Sequence, residues 1–525
     1  MDHSLQKVFA YHEATKHAPR KYANSLGYMD WAHQPDPFRS YESTEKLLLP
    51  LACEESTPPY KALFDASITP ASLNVATLAQ LLQFSLGLAA IKSNGYEHWA
   101  LRCNASSGNL HPSEGYLLLP PLQGVSTQTS LTHYAPKNHA LEILGAFSTS
   151  IWNDLPQGSF FLALGSVVYR EVWKYGERAF RYTQLDAGHA MRAVTISAKM
   201  LGWHVRIVTS LEDEQLSRLL GFDQKERFHP MENEIADMLL LITPSPIEAI
   251  PDLSPLLGSL PTQYESRANS VATAYQNWPL IKETIEATSG NFSHMPSVLP
   301  TPLARNVTTE SGKIVLWRRS VQAMDANDTR ITLEEFSTLL KSTQGSFEGL
   351  PPSVHLILFI HDVSELPQGV YIFVRNERTC QELQKSLSSE FLWEEKLPNL
   401  YLLRLGDMRA IAKAVSCSQD IASQGAFSLG MLAPFSQELL ACGAHRYREL
   451  YWECGAIGQQ LYLEATSLGL SGTGIGCFLD DVMHDLLGLK SNTYQVLYHF
   501  TVGRGLRDTR ILTKKPYDAT RGLGM

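Results

Sequence analysis

The 525-residue chain contains no apolar run approaching the roughly 20 residues needed to cross a bilayer. Its opening stretch, MDHSLQKVFAYHEATKHAPRKY, is polar throughout and lacks the apolar core of a secretory signal. Membrane insertion and export are therefore not expected. Cysteine is sparse as well. The seven (Cys53, Cys103, Cys380, Cys417, Cys442, Cys454, Cys477) are odd in number, scattered and free of any Cys-x-x-Cys pair, which indicates neither a disulfide framework nor a zinc site and fits a reducing cytoplasm. Basic excess is missing too. With 44 Lys and Arg against 53 Asp and Glu, the net charge is −9 and offers no electrostatic footprint for nucleic acid or an anionic membrane.

What the chain does have is a diverged internal repeat. Leu185–Asp223 aligns without gaps on 452–490, placing Gly188 on Gly455, Ala198 on Ala465, Gly202 on Gly469, Asp213 on Asp480 and Gly221 on Gly488, a constant offset of 267 positions (455 − 188, 488 − 221). Within each copy, small and apolar residues recur at helical spacing: Ala187, Ala190, Met191, Val194, Ala198 and Leu201 in the first, Cys454, Ile457, Gly458, Leu461, Ala465 and Leu468 in the second. Each half therefore predicts one long buried helix, thin-faced near Gly188 or Gly455 and stopped by Gly202 or Gly469. Two such helices suggest two related domains forming an intramolecular pseudo-dimer.

Strands are expected at Gly115–Leu119, 160–168, Met238–Thr243, Val354–Ile360, Val370–Val374, 401–405 and 497–503. Because strands and helices mix without a strict βαβ alternation, the expected class is α+β. The implied layout is an arm over 1–58, a first domain over 59–243, a Pro/Ser/Thr-rich linker over 244–312 with a helical island near 275–288, and a second domain over 313–525.

Four groups carry candidate chemistry. Arg318-Arg319-Ser320, read as lying at a helix, joins two guanidiniums and a hydroxyl in a set suited to a phosphate monoester, although an arginine pair alone is more often a solvated face. Gly472-Thr-Gly474-Ile-Gly476 follows the second repeat helix as a loop through which backbone amides could approach a flat or anionic ligand. It is not a dinucleotide fingerprint, which needs a strand before it. Residues 100–114 form a donor-rich loop around Ser106-Ser107-Gly108-Asn109-Leu-His111, which could edge a planar heteroaromatic or simply be a hydrogen-bonded turn. Lys174-Tyr175, followed by Arg178 and Arg181, could serve as acid or base, or could pack.

Taken together, these motifs resemble the FMN-dependent nitroreductase superfamily, and most nearly its SagB/ThcOx-type dehydrogenase branch, whose members oxidise azoline rings to azoles in modified peptides. The resemblance covers most of 59–243 and 308–511 and implies two nitroreductase-like sheet-and-helix domains in tandem with FMN as cofactor. By analogy, the cofactor-binding set is Arg318, Arg319, Ser320, Gly474, Gly476, Cys477, Arg504, Arg510 and, from the other half, Ser106, Ser107, Gly108 and Asn109, with Lys174 and Tyr175 as the catalytic pair and no metal. The phosphate motif occurs only in the second half and the Ser-Ser-Gly-Asn loop only in the first, which implies one composite flavin site. Departures from the family pattern are Ala105 before Ser-Ser and Gln322 after the arginines. The alternative expectations are an NAD(P)H-dependent reductase of nitroaromatics or quinones, and a non-catalytic flavin-binding or scaffold protein. Substrates would be small molecules or modified peptides, and a monomer suffices if the pseudo-dimer forms within one chain.

Overall fold

The computed structural model describes residues 2–65, 67–232, 234–292, 303 and 305–517. The chain divides into two compact units. The N-half unit comprises Ser25–Phe292, Thr308–Trp317 and Thr509–Met525; the C-half unit comprises Met1–Asn24, Ser293–Val307 and Arg318–Asp508. The segment expected as a single arm is thus shared between the units, and part of the expected linker lies outside the described residues. Inside that linker span, the helix Pro279–Ala287 and the strand Arg267–Ala268, paired with Tyr41–Glu42, are ordered parts of the N-half unit. No helix among the described residues is long and apolar enough to cross a membrane.

Each unit is an α+β domain around a seven-stranded, wholly antiparallel sheet; six strands follow the same order in both, while the outer edge strand comes from ahead of the others in the N-half unit and from the hairpin partner of Leu400–Leu405 in the C-half unit. In the N-half unit the order runs Glu45–Leu48, Ala140–Phe147, Thr129–Ala135, Ser113–Leu119, Phe160–Val167, Glu234–Thr243, His204–Ile207. In the C-half unit it runs Glu394–Leu397, Leu400–Leu405, Gly369–Phe373, His355–Ile360, Phe427–Pro434, Tyr494–Gly503, Ser471–Ile475. The offset of 267 holds for the elements between Phe160 and Leu220. It relates Phe160–Val167 to Phe427–Pro434, the helix Ala179–Met200 to Arg446–Ser467, and Asp213–Leu220 to Asp480–Leu487. Gly202, Gly221, Gly469 and Gly488 all take the left-handed conformation that ends these helices, with φ between 68° and 72°.

Both long helices start six residues before the aligned repeat that announced them, at Ala179 and Arg446. In the first, every residue except Lys199 is buried, so the periodicity expected of a half-exposed helix is diluted by polar groups with internal partners. In the second, Arg446 is fully buried and pairs with Glu438 (2.7 Å) and Glu449 (2.8 Å).

One carboxylate in each long helix, again 267 positions apart, ties it to the loop that enters the central strand. Asp186 accepts the Ser107 amide (2.9 Å) and hydroxyl (3.0 Å). Glu453 accepts the amides of Ser353 and Val354 (both 3.2 Å) and pairs with the buried Arg375. Glu453→Ala should therefore strand the Arg375 guanidinium in the core and cost about 3–5 kcal/mol, read as a fall in the urea midpoint at unchanged m.

Candidate active site

In the C-half unit, Arg318-Arg319-Ser320 is not helical. Ser320 forms a parallel bridge to Gly472, and the Thr473 hydroxyl donates to Val321 O at 2.6 Å. The Gly-rich stretch is correspondingly a strand, Ser471–Ile475, where a loop was expected. Physically, this strand lies at the edge of the sheet, and its unpaired backbone groups recruit the incoming arginine segment.

Tyr462, on the second repeat helix, organises the corner. Its ring lies 5.2 Å from the Arg318 guanidinium carbon, its hydroxyl sits 2.7 Å from Ser320 Oγ, and that hydroxyl also accepts the Gly474 amide at 2.8 Å. A Cβ at Gly474 would collide with the Tyr498 hydroxyl, so only glycine fits there. Motif reading could not find Tyr462, because the residue 267 positions earlier is Thr195 and nothing local distinguishes it from a core aromatic. Gly476 and Cys477 follow in the next turn, where the Gln419 side chain holds Cys477 O at 3.1 Å. Arg504 contributes its carbonyl to the Asp325 amide (2.8 Å) and its Nε to Asp328 (3.1 Å). Arg510 is exposed and belongs to the N-half unit.

In the N-half unit, the Ser106–Asn109 loop is held largely by its own side chains. Ser106 Oγ accepts the His111 amide (2.8 Å), Asn109 Nδ2 donates to Ala100 O (2.9 Å), and Asn109 Oδ1 faces His111 Nε2 (2.9 Å). Gly108, Asn109 and His111 all have positive φ. Lys174 and Tyr175 pack directly on this loop. A Cβ added to Gly108 would lie 2.7 Å from Tyr175 Oη and 3.0 Å from Lys174 Nζ, so glycine is what allows the approach.

The helix carrying the pair, Tyr169–Tyr175, is pinned by Arg170, which donates to Glu114 (2.5 Å) and to His111 O (2.7 Å). Burial alone would raise the Glu114 carboxyl, but Arg170, His133 and Arg102 outweigh it and draw it down to about 2, fixing a charged anchor. The helix then breaks at Gly176 (φ 53°) before Ala179–Met200 begins. Arg178 and Arg181 are accordingly not on successive turns above Lys174, as a continuous helix would have placed them. The Arg178 side chain instead reaches the Tyr182 hydroxyl at 3.2 Å.

Two buried carboxyls complete this cluster, neither carried by a motif. Burial pushes Asp186 up to about 7 despite hydrogen bonds from Ser106 and Ser107. Burial, with Asp186 adding repulsion, raises Glu171 well above the usual carboxylate range against the pull of Lys174 and Arg170, and neither Glu171 oxygen has a hydrogen-bond partner.

The sequence model of the nitroreductase family matches residues 97–229 and 315–504, once in each half, and the chain belongs to that family. The family is one of oxidoreductases that typically bind FMN. Among known proteins, a Methanocaldococcus jannaschii protein whose name places it among the nitroreductases is 26% identical over 188 residues, spanning 34% of this chain and 83% of that protein. A crystal structure from Anabaena variabilis, also named as a nitroreductase, superimposes with a TM-score of 0.70 at 21% identity, covering 95% of this chain and 99% of the other, which establishes the fold. A chain of the Escherichia coli microcin synthetase McbBCD complex shares 18% identity over 47% of this chain and 95% of its own, with a TM-score of 0.28, too weak a likeness to bear on function.

The donor set around Arg318, Arg319 and Ser320 fits the phosphate of such a cofactor. The Arg318 guanidinium and the Ser320 hydroxyl both lie against Tyr462 beside the edge strand, where neighbouring glycine backbone leaves little side-chain bulk, while the Arg319 guanidinium donates to Arg318 O at 2.6 Å.

Asp186 gives a signed pH test. Its folded pKa of about 7 exceeds the ordinary 3.8, so the native state retains a proton that the unfolded chain releases. Native stability therefore falls as pH rises from about 4 to about 7. Asp186→Asn removes this term, and its stability relative to wild type should improve by about 2–3 kcal/mol between pH 5 and pH 8 in paired denaturant titrations. An unchanged difference would show that Asp186 is ionised in the native state.

Proposed function

We propose that the chain is an FMN-dependent oxidoreductase of the SagB/ThcOx type, acting on azoline rings of a small molecule or modified peptide. The observation that carries the flavin reading is the pairing of the Arg318–Ser320 segment with the glycine-rich edge strand. On this reading Arg318, Arg319 and Ser320 hold the phosphate through charge-assisted hydrogen bonds of about 1.5–3 kcal/mol each. The cofactor, when bound, supplies the acceptor for two electrons. Because the phosphate motif occurs once in the sequence, the chain holds a single FMN.

Extraction and mass analysis should recover FMN, not FAD, at one per chain. Arg319→Ala should weaken its binding by about tenfold or more. Two flavins per chain, or none after reconstitution with excess FMN, would overturn this reading.

The azoline specificity rests on Lys174 and Tyr175, whose packing against Gly108 places an amine and a phenol beside the loop. Converting an azoline to an azole removes one ring C–H proton and one hydride equivalent, which carries the two electrons. Lys174, with Tyr175 beside it, takes the proton. Lys174→Ala and Tyr175→Phe should retain flavin and lose turnover by about 10²-fold or more on an azoline substrate. Full turnover in both, with bleaching of the flavin by NAD(P)H, would favour the reductase reading instead.

A further inference from the structure

The C-half unit contains a cluster that no local spacing announces. His17, Cys417 and Cys477 bring one imidazole nitrogen and two thiol sulfurs within 4.8 Å of one another. His17 Nδ1 lies 3.5 Å from Cys477 Sγ. In a tetrahedral zinc site with Zn–S near 2.3 Å and Zn–N near 2.0–2.1 Å, that nitrogen–sulfur edge is about 3.5–3.6 Å. No separation in the cluster exceeds a tetrahedral edge by more than roughly 1 Å, which a thiol rotamer can close.

Each ligand is held by its backbone. The helix Asp480–Leu487 clasps His17 twice: the His17 amide donates to Asp480 Oδ2 (2.8 Å), and the Asp480 amide donates to His17 O (3.1 Å). Gln419 holds Cys477 O. Cys417 and Ser418 both sit in the left-handed region, with φ of 53° and 60°. Two consecutive non-glycine residues rarely adopt that conformation without a compensating interaction, and it sets where Cys417 stands.

The N-half unit supplies an internal control. There Asp213 makes the same paired backbone contact, to Gly290 in place of His17, at 3.3 and 3.4 Å. Positions 267 before the two cysteines are Ser150 and Ser210. The scaffold is common to both halves, and the soft ligands occur in one.

We propose that His17, Cys417 and Cys477 bind one Zn²⁺, with the fourth position left to water or an exogenous ligand. Both thiols bind as thiolates, so zinc uptake releases two protons to solvent and no redox change occurs. The zinc proposal does not rest on the flavin assignment, although Cys477 also falls in the cofactor-binding set that the resemblance implies.

The test uses the full chain, purified under reducing conditions. Titration with ZnCl₂, followed by elemental analysis after gel filtration, should give one zinc per chain. Cys417→Ser, Cys477→Ser and His17→Ala should each lower zinc affinity at least tenfold, while Cys380→Ser should leave it unchanged. CoCl₂ added to the wild-type chain should give the intense thiolate-to-cobalt charge-transfer band and the visible bands of a tetrahedral site, a readout that needs no variant to fold. No zinc uptake by the reduced wild-type chain, an octahedral cobalt spectrum, or full zinc retention in all three variants would overturn the assignment. So would a native Cys417–Cys477 disulfide in the protein isolated without reductant, since those sulfurs would then be covalently committed.

Discussion

The architecture of each half depends on a carboxylate buried two turns into its long helix. Asp186 and Glu453 occupy the same repeat position and bind the chain entering the central strand of each sheet, Asp186 accepting the Ser107 amide and hydroxyl and Glu453 the amides of Ser353 and Val354. Backbone amides that turn into a buried strand need acceptors, and a fixed carboxylate satisfies two of them at once. The consequence differs between halves. Glu453 is matched by the Arg375 guanidinium, which makes its cluster a closed ion pair. Among the groups acting on Asp186 only serine donors oppose its burial, and the neighbouring Glu171 carboxyl adds repulsion to a site that already disfavours charge. One repeat position therefore acts as a structural anchor in the C-half unit, while in the N-half unit burial favours its protonated form.

The same comparison explains why Asp213 and Asp480 match in the sequence repeat. Each begins a helix and exchanges backbone contacts with a distant segment of its own unit, Gly290 for Asp213 and His17 for Asp480. The segment ending the helix His3–Ala14 thus stands to the C-half unit as the segment after Pro279–Ala287 stands to the N-half unit. The polar N-terminus, which offered no motif, is an integral element of the repeat, assigned to the unit farther along the chain.

Much of this was legible in the sequence, for identifiable reasons. The helix-stop glycines and strands such as Phe160–Val167 could be read because each depends on local backbone geometry or a continuous apolar run. The starts of the two long helices could not, since Arg181 and Arg446 interrupt the pattern and are buried all the same. Arg318–Ser320 looked helical because Ser311–Trp317 immediately before it is a helix, whereas its own conformation follows from an edge strand some 150 residues away. Tyr462, Asp186, Glu171 and the His17–Cys417–Cys477 cluster depend on contacts between distant segments, and no spacing rule reaches them.

The loop at Ser106–Asn109 shows how a motif can be correct while its single residues do different work. Asn109 and Ser107 were read as ligand-facing donors, yet the Asn109 amide closes the loop on Ala100 and His111, and Ser107 feeds Asp186. What the loop presents outward is the bare backbone of Gly108, against which the Lys174 amine and Tyr175 phenol come to rest. Its side chains are the scaffold, and the missing side chain makes room for the amine and the phenol. The edge strand of the C-half unit follows the same rule, with Gly474 bare and its amide taken by Tyr462. In both units the glycine motif marks where backbone must come close to another group, and the polar residues around it are what hold that backbone still.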